Sequence, residues 1–414
     1  MSEGFGIDHL PYGVFSVPGE APRVGVRYGD AVVDLHALTG RDEFARPSLN
    51  TFLALGPDAW ARTRAELVDR VPTADAVPLD DLVLHLPFSV GDYVDFYASL
   101  DHASNVGRIF RPDQEPLLPN WRHLPVGYHG RAGTVVVSGT PVVRPCGQRV
   151  STGATTGTGS SGAPVPEYGP SRRLDIEAEL GFVVGSGSEL ASRIGVDDFA
   201  EHVFGVVGLN DWSARDIQAW EYVPLGPFLG KSFATSIAAW VTPLAALDAA
   251  WCDLPGQDPA PLPYLVSTGS TTDEPGSTTD EPGSTTDQRG STNREGGPRG
   301  LDIEVEVVLN GEVVSRPPYR TMYWSPAQML AHLTVNGAST RPGDLFASGT
   351  ISGPDPETRG SFLELSWGGT EPFAGGHTFL EDGDEVTLRY SAPGTGGGRI
   401  TLGEVTGRIE PARV

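Results

Sequence analysis

Val206-Val207-Gly208-Leu209-Asn210-Asp211-Trp212-Ser213-Ala214-Arg215-Asp216-Ile217-Gln218-Ala219-Trp220-Glu221-Tyr222 decides how this chain is read. Its apolar start suits a buried strand, and the run turns polar at Asn210-Asp211. Ser213 is the predicted N-cap of a short helix that reaches Glu221 or Tyr222. Asp211, Arg215, Gln218 and Tyr222 then follow one another at spacings of four, three and four. That spacing places a carboxylate, a guanidinium, an amide and a phenol on one helical face at the mouth of a strand. Ile217 and Trp220 take the opposite face. Spacing alone fits a surface helix laced with hydrogen bonds equally well.

Working outward, the chain has 414 residues, 53 Asp and Glu against 29 Lys and Arg, and a formal charge of −24. Nucleic acid and anionic membranes both need basic patches, so this balance argues against either as a partner. A small anionic substrate stays possible, because a bound divalent cation reverses the local field. No run approaches the roughly 18 apolar residues of a membrane helix, and the start of the chain has no signal-peptide pattern. Two cysteines, Cys146 and Cys252, are too few for a disulfide framework, so cytoplasm is the expectation. Abundant Gly and Pro among short Val, Ile and Leu runs predict a mainly β architecture with some α.

Two domains are expected, 1–87 and 88–414. In the first, residues 14–17, 23–27 and 31–35 read as strands and 59–71 as a helix. Residues 134–138 and 141–144 read as a strand pair, 147–170 as a loop that is flexible over 151–163, and 174–184 as a strand. Residues 267–300 repeat a Gly-Ser-Thr-Thr-Asp-Glu-Pro heptapeptide with no apolar position, which predicts a disordered insertion rather than a coiled coil. Asn310-Gly311 predicts a hairpin turn, Ser325-Pro326 a helix start, and 361–367 a strand carrying Glu364.

Glu177 and Glu179, two apart on that strand, point to one face. Like charges on an apolar strand are costly without a partner, and a metal ion supplies one. With Asp211 and an acid from Asp92-Tyr93-Val94-Asp95 they make a set of hard oxygen donors, suited to Mg²⁺ or Ca²⁺ rather than zinc. Spacing does not separate Asp92 from Asp95.

The chain resembles the fumarylacetoacetate hydrolase family. The likeness is carried by Asp92-Tyr93-Val94-Asp95-Phe96-Tyr97, Pro119-Asn120-Trp121, Leu124-Pro125-Val126-Gly127-Tyr128-His129-Gly130-Arg131, Leu209 to Gln218, Pro224 to Ser232 and Ala347 to Gly353. It lapses over 151–163 and in the heptapeptide repeat. The resemblance implies a small N-terminal SH3-like barrel, a larger C-terminal mixed β-roll, and a homodimer. It also implies hydrolysis of a carbon–carbon bond in a small diketo acid, 4-fumarylacetoacetate, as the last step of tyrosine and phenylalanine breakdown. Carried over residue by residue, it implies Asp95, Glu177, Glu179 and Asp211 as ligands of Mg²⁺ or Ca²⁺. His102 matches the general base and Glu364 the carboxylate that orients it. Arg215, Gln218 and Lys231 match the groups that hold the developing anion. Tyr97, Arg111, Tyr128, Gln218, Tyr222 and Thr350 match substrate contacts, and a second cation is implied near Lys231 and Thr235. Rival readings are the acylpyruvate hydrolases, decarboxylases and dienoate isomerases that share the acidic set, a metal-binding protein without catalysis, and a His/carboxylate iron oxygenase.

Overall fold

The computed structural model describes residues 4–150, 165–267 and 298–413. The flexible stretch expected at 151–163 and nearly all of the repeat at 267–300 lie outside those residues. Strands dominate, as composition predicts. Among the described residues, no helix is long and apolar enough to cross a membrane.

A thirteen-stranded sheet forms the body. Its centre is the antiparallel pair Ala178–Val184 and Val203–Asp211, in which every residue is buried. Burial on both faces explains why neither strand alternates apolar with polar residues. Leu345–Ala347 joins on one side of this pair, followed by Tyr93–Phe96 in parallel and Gly127–His129. On the other side, Trp240–Pro243 links the sheet to Tyr12–Ser16, and so to the strands of the first 85 residues. Residues 12–85 are therefore hydrogen-bonded into the same sheet as the organising strand.

A six-stranded sheet built on Glu304–Leu309, Glu385–Pro393 and Val405–Glu410 supplies the second layer. Tyr390 crosses from it to the central pair. Its hydroxyl lies 2.9 Å from the Glu179 carbonyl and receives the Leu209 N–H at 3.2 Å. Gly208 makes that approach possible, because a β-carbon there would sit 2.4 Å from the Tyr390 ring. The expected Asn310-Gly311 turn is present: both residues take positive φ and close the Glu304–Leu309 and Glu312–Ser315 hairpin.

Several local expectations are corrected. The Arg215–Glu221 helix starts at Ala214, and Ser213 is no N-cap; it lies in a two-residue strand with its hydroxyl on the Asp211 carbonyl at 3.0 Å. Asp211 closes the preceding strand, so it does not share the helical face. Trp220 is 40% exposed while Ile217 packs inward over Gly147. The segment 174–184 breaks after Asp175 and resumes at Ala178. Residues 135–137 and 142–143 do not pair with each other; each joins a different sheet in parallel. The ends of the expected 147–170 loop pair as Cys146–Arg149 with Glu167–Pro170. Phe362–Leu365 is a helical turn capped by Ser361 instead of a strand. Gly360 and Ser361 precede it, and the Ser361 hydroxyl accepts the Glu364 N–H, a local bond that competes with extension.

Candidate active site

Strand order brings the acidic residues together. Asp211 ends its strand, Glu179 begins the neighbouring one, and Glu177 sits in the break just before it, where its carbonyl accepts the Asp211 N–H. Asp95 arrives on the parallel strand, opposite Ala347 and Tyr128. One ligand atom from each of Asp95, Glu177, Glu179 and Asp211 lies within 4.8 Å of the others, and all four residues are buried. Asp92, by contrast, is an exposed partner of Arg341 at 2.6 Å. Position along the chain decides between the two acids: Asp95 lies within the buried strand Tyr93–Phe96 and Asp92 lies before it.

Partners divide the four unequally. Lys231 Nζ reaches both Glu177 and Asp211, the latter at 2.7 Å. Arg215 lies 2.8 Å from Glu177 through its terminal nitrogen and 2.8 Å from Asp175 through Nε. Asp211 also accepts Thr235 Oγ1 at 2.9 Å and the Tyr128 hydroxyl at 3.0 Å. Among the described residues, neither Glu179 oxygen accepts a hydrogen bond, nor does Asp95 Oδ1. The titration directions follow. Burial pushes the Glu177 carboxyl up, but Lys231 and Arg215 outweigh it and hold Glu177 below the ordinary range. Burial and the Asp211 charge push Asp95 well above that range; burial and Asp95 do the same to Glu179.

With all four ionised, the carboxylates that face Lys231 and a guanidinium shared with Asp175 carry an excess of at least two negative charges. Unpaired buried carboxylate oxygens converging on one point fit a hard divalent cation. As a cation, Lys231 Nζ has no lone pair for the implied second ion, which leaves Thr235 Oγ1 and backbone carbonyls near that position.

His102 faces the cluster from the Leu100–Phe110 helix, buried, with Nε2 3.8 Å from Glu177. Ser99 caps this helix by accepting the His102 N–H. Nδ1 is 2.6 Å from Glu364 Oε2. Glu364 also accepts Asn105 Nδ2 at 3.0 Å, Ser352 Oγ at 2.9 Å and Ser361 Oγ at 2.8 Å. Burial pushes its carboxyl up, yet His102 and these donors hold it below the ordinary range. The Tyr97 ring meets the His102 imidazole edge-on at 5.2 Å.

Of the remaining expected residues, Gln218 receives Arg215 NH1 at 3.3 Å, and Thr350 is buried with its hydroxyl unpartnered. Arg111 donates to the Pro116 carbonyl and leaves Nε unpaired. Tyr222 is 42% exposed, and no hydrogen bond ties its phenol to the cluster. A cavity of about 160 Å³ opens on the Lys231 side, lined by Tyr93, Tyr128, Arg131, Asp211, Lys231 and Thr235. A larger one of about 250 Å³ lies beyond Arg215, among Arg149, Arg172, Arg173 and Trp220. It shares only Arg215 with the acidic cluster, so the chemistry marks the smaller cavity.

Sequence reasoning passed over Asp175, Tyr93, Asn105, Ser352 and Ser361, all buried around the cluster. Asp175 carried a usable signal, a third acid on the same apolar segment as Glu177 and Glu179. The serines and Asn105 carried none.

Comparison with known proteins agrees with this geometry. The family model described as fumarylacetoacetate (FAA) hydrolase C-terminal matches residues 93–410, and that described as fumarylacetoacetase N-terminal matches 8–87. The chain is 45% identical to the fumarylacetoacetase of Homo sapiens and 40% identical to that of Arabidopsis thaliana, each over 99% of this chain and 96% of the relative. Among solved structures, the fumarylacetoacetate hydrolase of Exiguobacterium antarcticum shares the fold at a TM-score of 0.56 and 18% identity. That match covers 98% of this chain and 100% of the other.

Proposed function

The chain belongs to the fumarylacetoacetate hydrolase family, and on that premise we propose that it hydrolyses the carbon–carbon bond of 4-fumarylacetoacetate to fumarate and acetoacetate. The observation that carries this reading is the His102–Glu364 pair set against four buried carboxylates.

Glu364 accepts only, so it fixes the His102 proton on Nδ1 and turns the Nε2 lone pair toward the cluster. Nε2 takes a proton from water as the oxygen attacks the ketone carbon, and Glu364 stabilises the imidazolium that forms. When the carbon–carbon bond breaks, its electron pair leaves on the acetoacetate side as an enolate, and the Nε2 proton returns to that carbon. Lys231, Arg215 and Gln218 supply the donors where this charge develops. A divalent cation held by Asp95, Glu177, Glu179 and Asp211 supplies Lewis-acid polarisation of the diketone oxygens when bound. Tyr97, Arg111, Tyr128, Tyr222 and Thr350 hold the substrate.

Mg²⁺ or Ca²⁺ fills the all-oxygen donor set. In the cell the reaction closes tyrosine and phenylalanine breakdown, in the cytoplasm. A homodimer accounts for the exposed apolar run Val223, Leu225, Phe228 and Leu229 beside the site, where Leu225 is 95% exposed. The test is loss of the diketone absorbance by purified protein, with and without chelator. Turnover that disappears with chelator and returns with Mg²⁺ or Ca²⁺ is the expected result. An inert protein at saturating metal, or a preference for acylpyruvates in a substrate panel, overturns the assignment.

A further inference from the structure

Asp175 is wholly buried and sits two residues before Glu177. Its carboxylate accepts four hydrogen bonds. Oδ1 takes the N–H of Ile176 and of Phe362, both at 2.7 Å. Oδ2 takes Arg215 Nε at 2.8 Å and the Leu363 N–H at 3.0 Å. Phe362 and Leu363 open the helical turn whose next residue is Glu364. One side chain therefore grips both the guanidinium next to Glu177 and the turn that orients His102.

These contacts close a ring: Asp175 to Arg215, Arg215 to Glu177, Glu177 to His102, His102 to Glu364, and Glu364 back along two peptide units to Asp175. The backbone already places the Arg215 α-carbon. Its N–H bonds the Arg173 carbonyl at 2.9 Å, and Asp175 is paired with Ser213. What the backbone leaves free is the guanidinium, and Asp175 fixes it. A buried ion is costly in such a place, and a packing role alone is met more cheaply by an apolar side chain.

We infer that Asp175 is a positioning residue, a carboxylate that sets the spacing between the anion-holding Arg215 and the His102–Glu364 base. The inference rests on the reading under Proposed function for what that spacing serves, and on the hydrogen bonds alone for the coupling itself. Asp175→Asn keeps an acceptor for Ile176 and Phe362 but turns an N–H₂ toward Arg215 and Leu363. Displacing a catalytic group by about 1 Å costs about a hundredfold. The expected result is a kcat at least about tenfold lower, with KM and the Mg²⁺ affinity of the folded protein within about threefold. A kcat per folded molecule within about threefold of the parent, accompanied only by a lower melting temperature, overturns the inference.

If Asp175→Asn does not fold, Arg215→Lys tests the same link. Lysine replaces the two nitrogens that reach Asp175 and Glu177 separately with one, so the fork is lost, and Arg215 has no hydrogen bond of its own to the Phe362–Leu365 turn. Amide hydrogen exchange over residues 360–366 should then quicken at least about fivefold; unchanged exchange there overturns the inference. Exchange needs no substrate, so an inert parent enzyme sinks the proposed reaction without touching this result.

Discussion

Replacing Glu364 with glutamine separates charge from geometry at the proposed base. The two carboxylate oxygens are not equivalent: Oε2 accepts His102, Ser352 and Ser361, whereas Oε1 accepts only Asn105. A glutamine that put its N–H₂ at the Oε2 position would orphan three donors. Placing its oxygen there opposes only Asn105, whose own amide then turns and gives up a 3.3 Å bond from Arg108. Glutamine therefore keeps the Nδ1–H tautomer, and what His102 itself loses is the ionic share of one hydrogen bond. A bond to a charged group contributes about 1.5–3 kcal/mol against about 0.5–1.5 for a neutral one. The difference, about 1–2 kcal/mol, corresponds to a kcat lowered about 5- to 30-fold. In serine proteases, where the analogous exchange traps the wrong tautomer, the loss is about 10⁴. Glu364→Ala removes the acceptor altogether, and its kcat should fall at least about a thousandfold. The assay is steady-state loss of the diketone absorbance at saturating Mg²⁺. A glutamine variant as damaged as the alanine one would refute the orientation argument, and one equal to the parent would remove Glu364 from catalysis. Folding stability adds a pH signature. Because the folded carboxyl titrates below its ordinary value, it contributes stability above that value that is lost as pH falls through the folded one. The glutamine variant should lack this part of the acid limb of a melting-temperature profile.

Asp95 and Glu179 titrate high in the metal-free protein, so cation uptake displaces protons from them. Calorimetric titration with Mg²⁺ in two buffers of different ionisation enthalpy should show net proton release near neutral pH, with affinity weakening as pH falls; zero release would mean the acids are already ionised. Glu177 and Glu179 should respond oppositely to neutralisation in chelator. Glu179→Gln removes a carboxyl that must take up a proton to be buried on folding, and should raise the melting temperature at neutral pH. Glu177→Gln leaves Lys231 and Arg215 short of a partner, a loss of about 3–5 kcal/mol for a broken buried pair, and should lower it. The same shift in both melting curves would contradict the unequal partnering. Excision of residues 268–297 should leave kcat unchanged, since the repeat has no apolar position to pack and lies outside every motif of the site; a large loss in the same absorbance assay would give the insertion a role.

What could be read from the sequence follows what each residue needs from its neighbours. The strand at Val206–Asn210 was legible because burial on both faces demands a continuous apolar run. The Ser325 cap and the Asn310-Gly311 turn were legible because they are local, each a bond or dihedral within a few residues. The acidic set was legible as a chemical type, since buried carboxylates without partners ask for a cation. Its membership was not. Asp95 falls inside a parallel pairing and Asp92 just outside it, and that pairing joins residues some 250 positions apart in sequence.

The same reasoning explains the helical turn at Phe362. Alternation read residues 361–367 as a strand because Phe362, Leu363 and Leu365 are apolar, yet all the determinants of the turn are polar and two are distant. Asp175 accepts the first two N–H groups of the turn from 187 and 188 residues away, and Ser361 accepts the third. A strand there would leave the Asp175 carboxylate buried with two fewer donors and would swing Glu364 off His102. A buried carboxylate tolerates neither loss cheaply. Local propensity therefore yields where the site's own hydrogen bonds define the backbone. The mistaken strand and the overlooked aspartate are one error, because the side chain that makes the segment a helix is the side chain that holds the base in place.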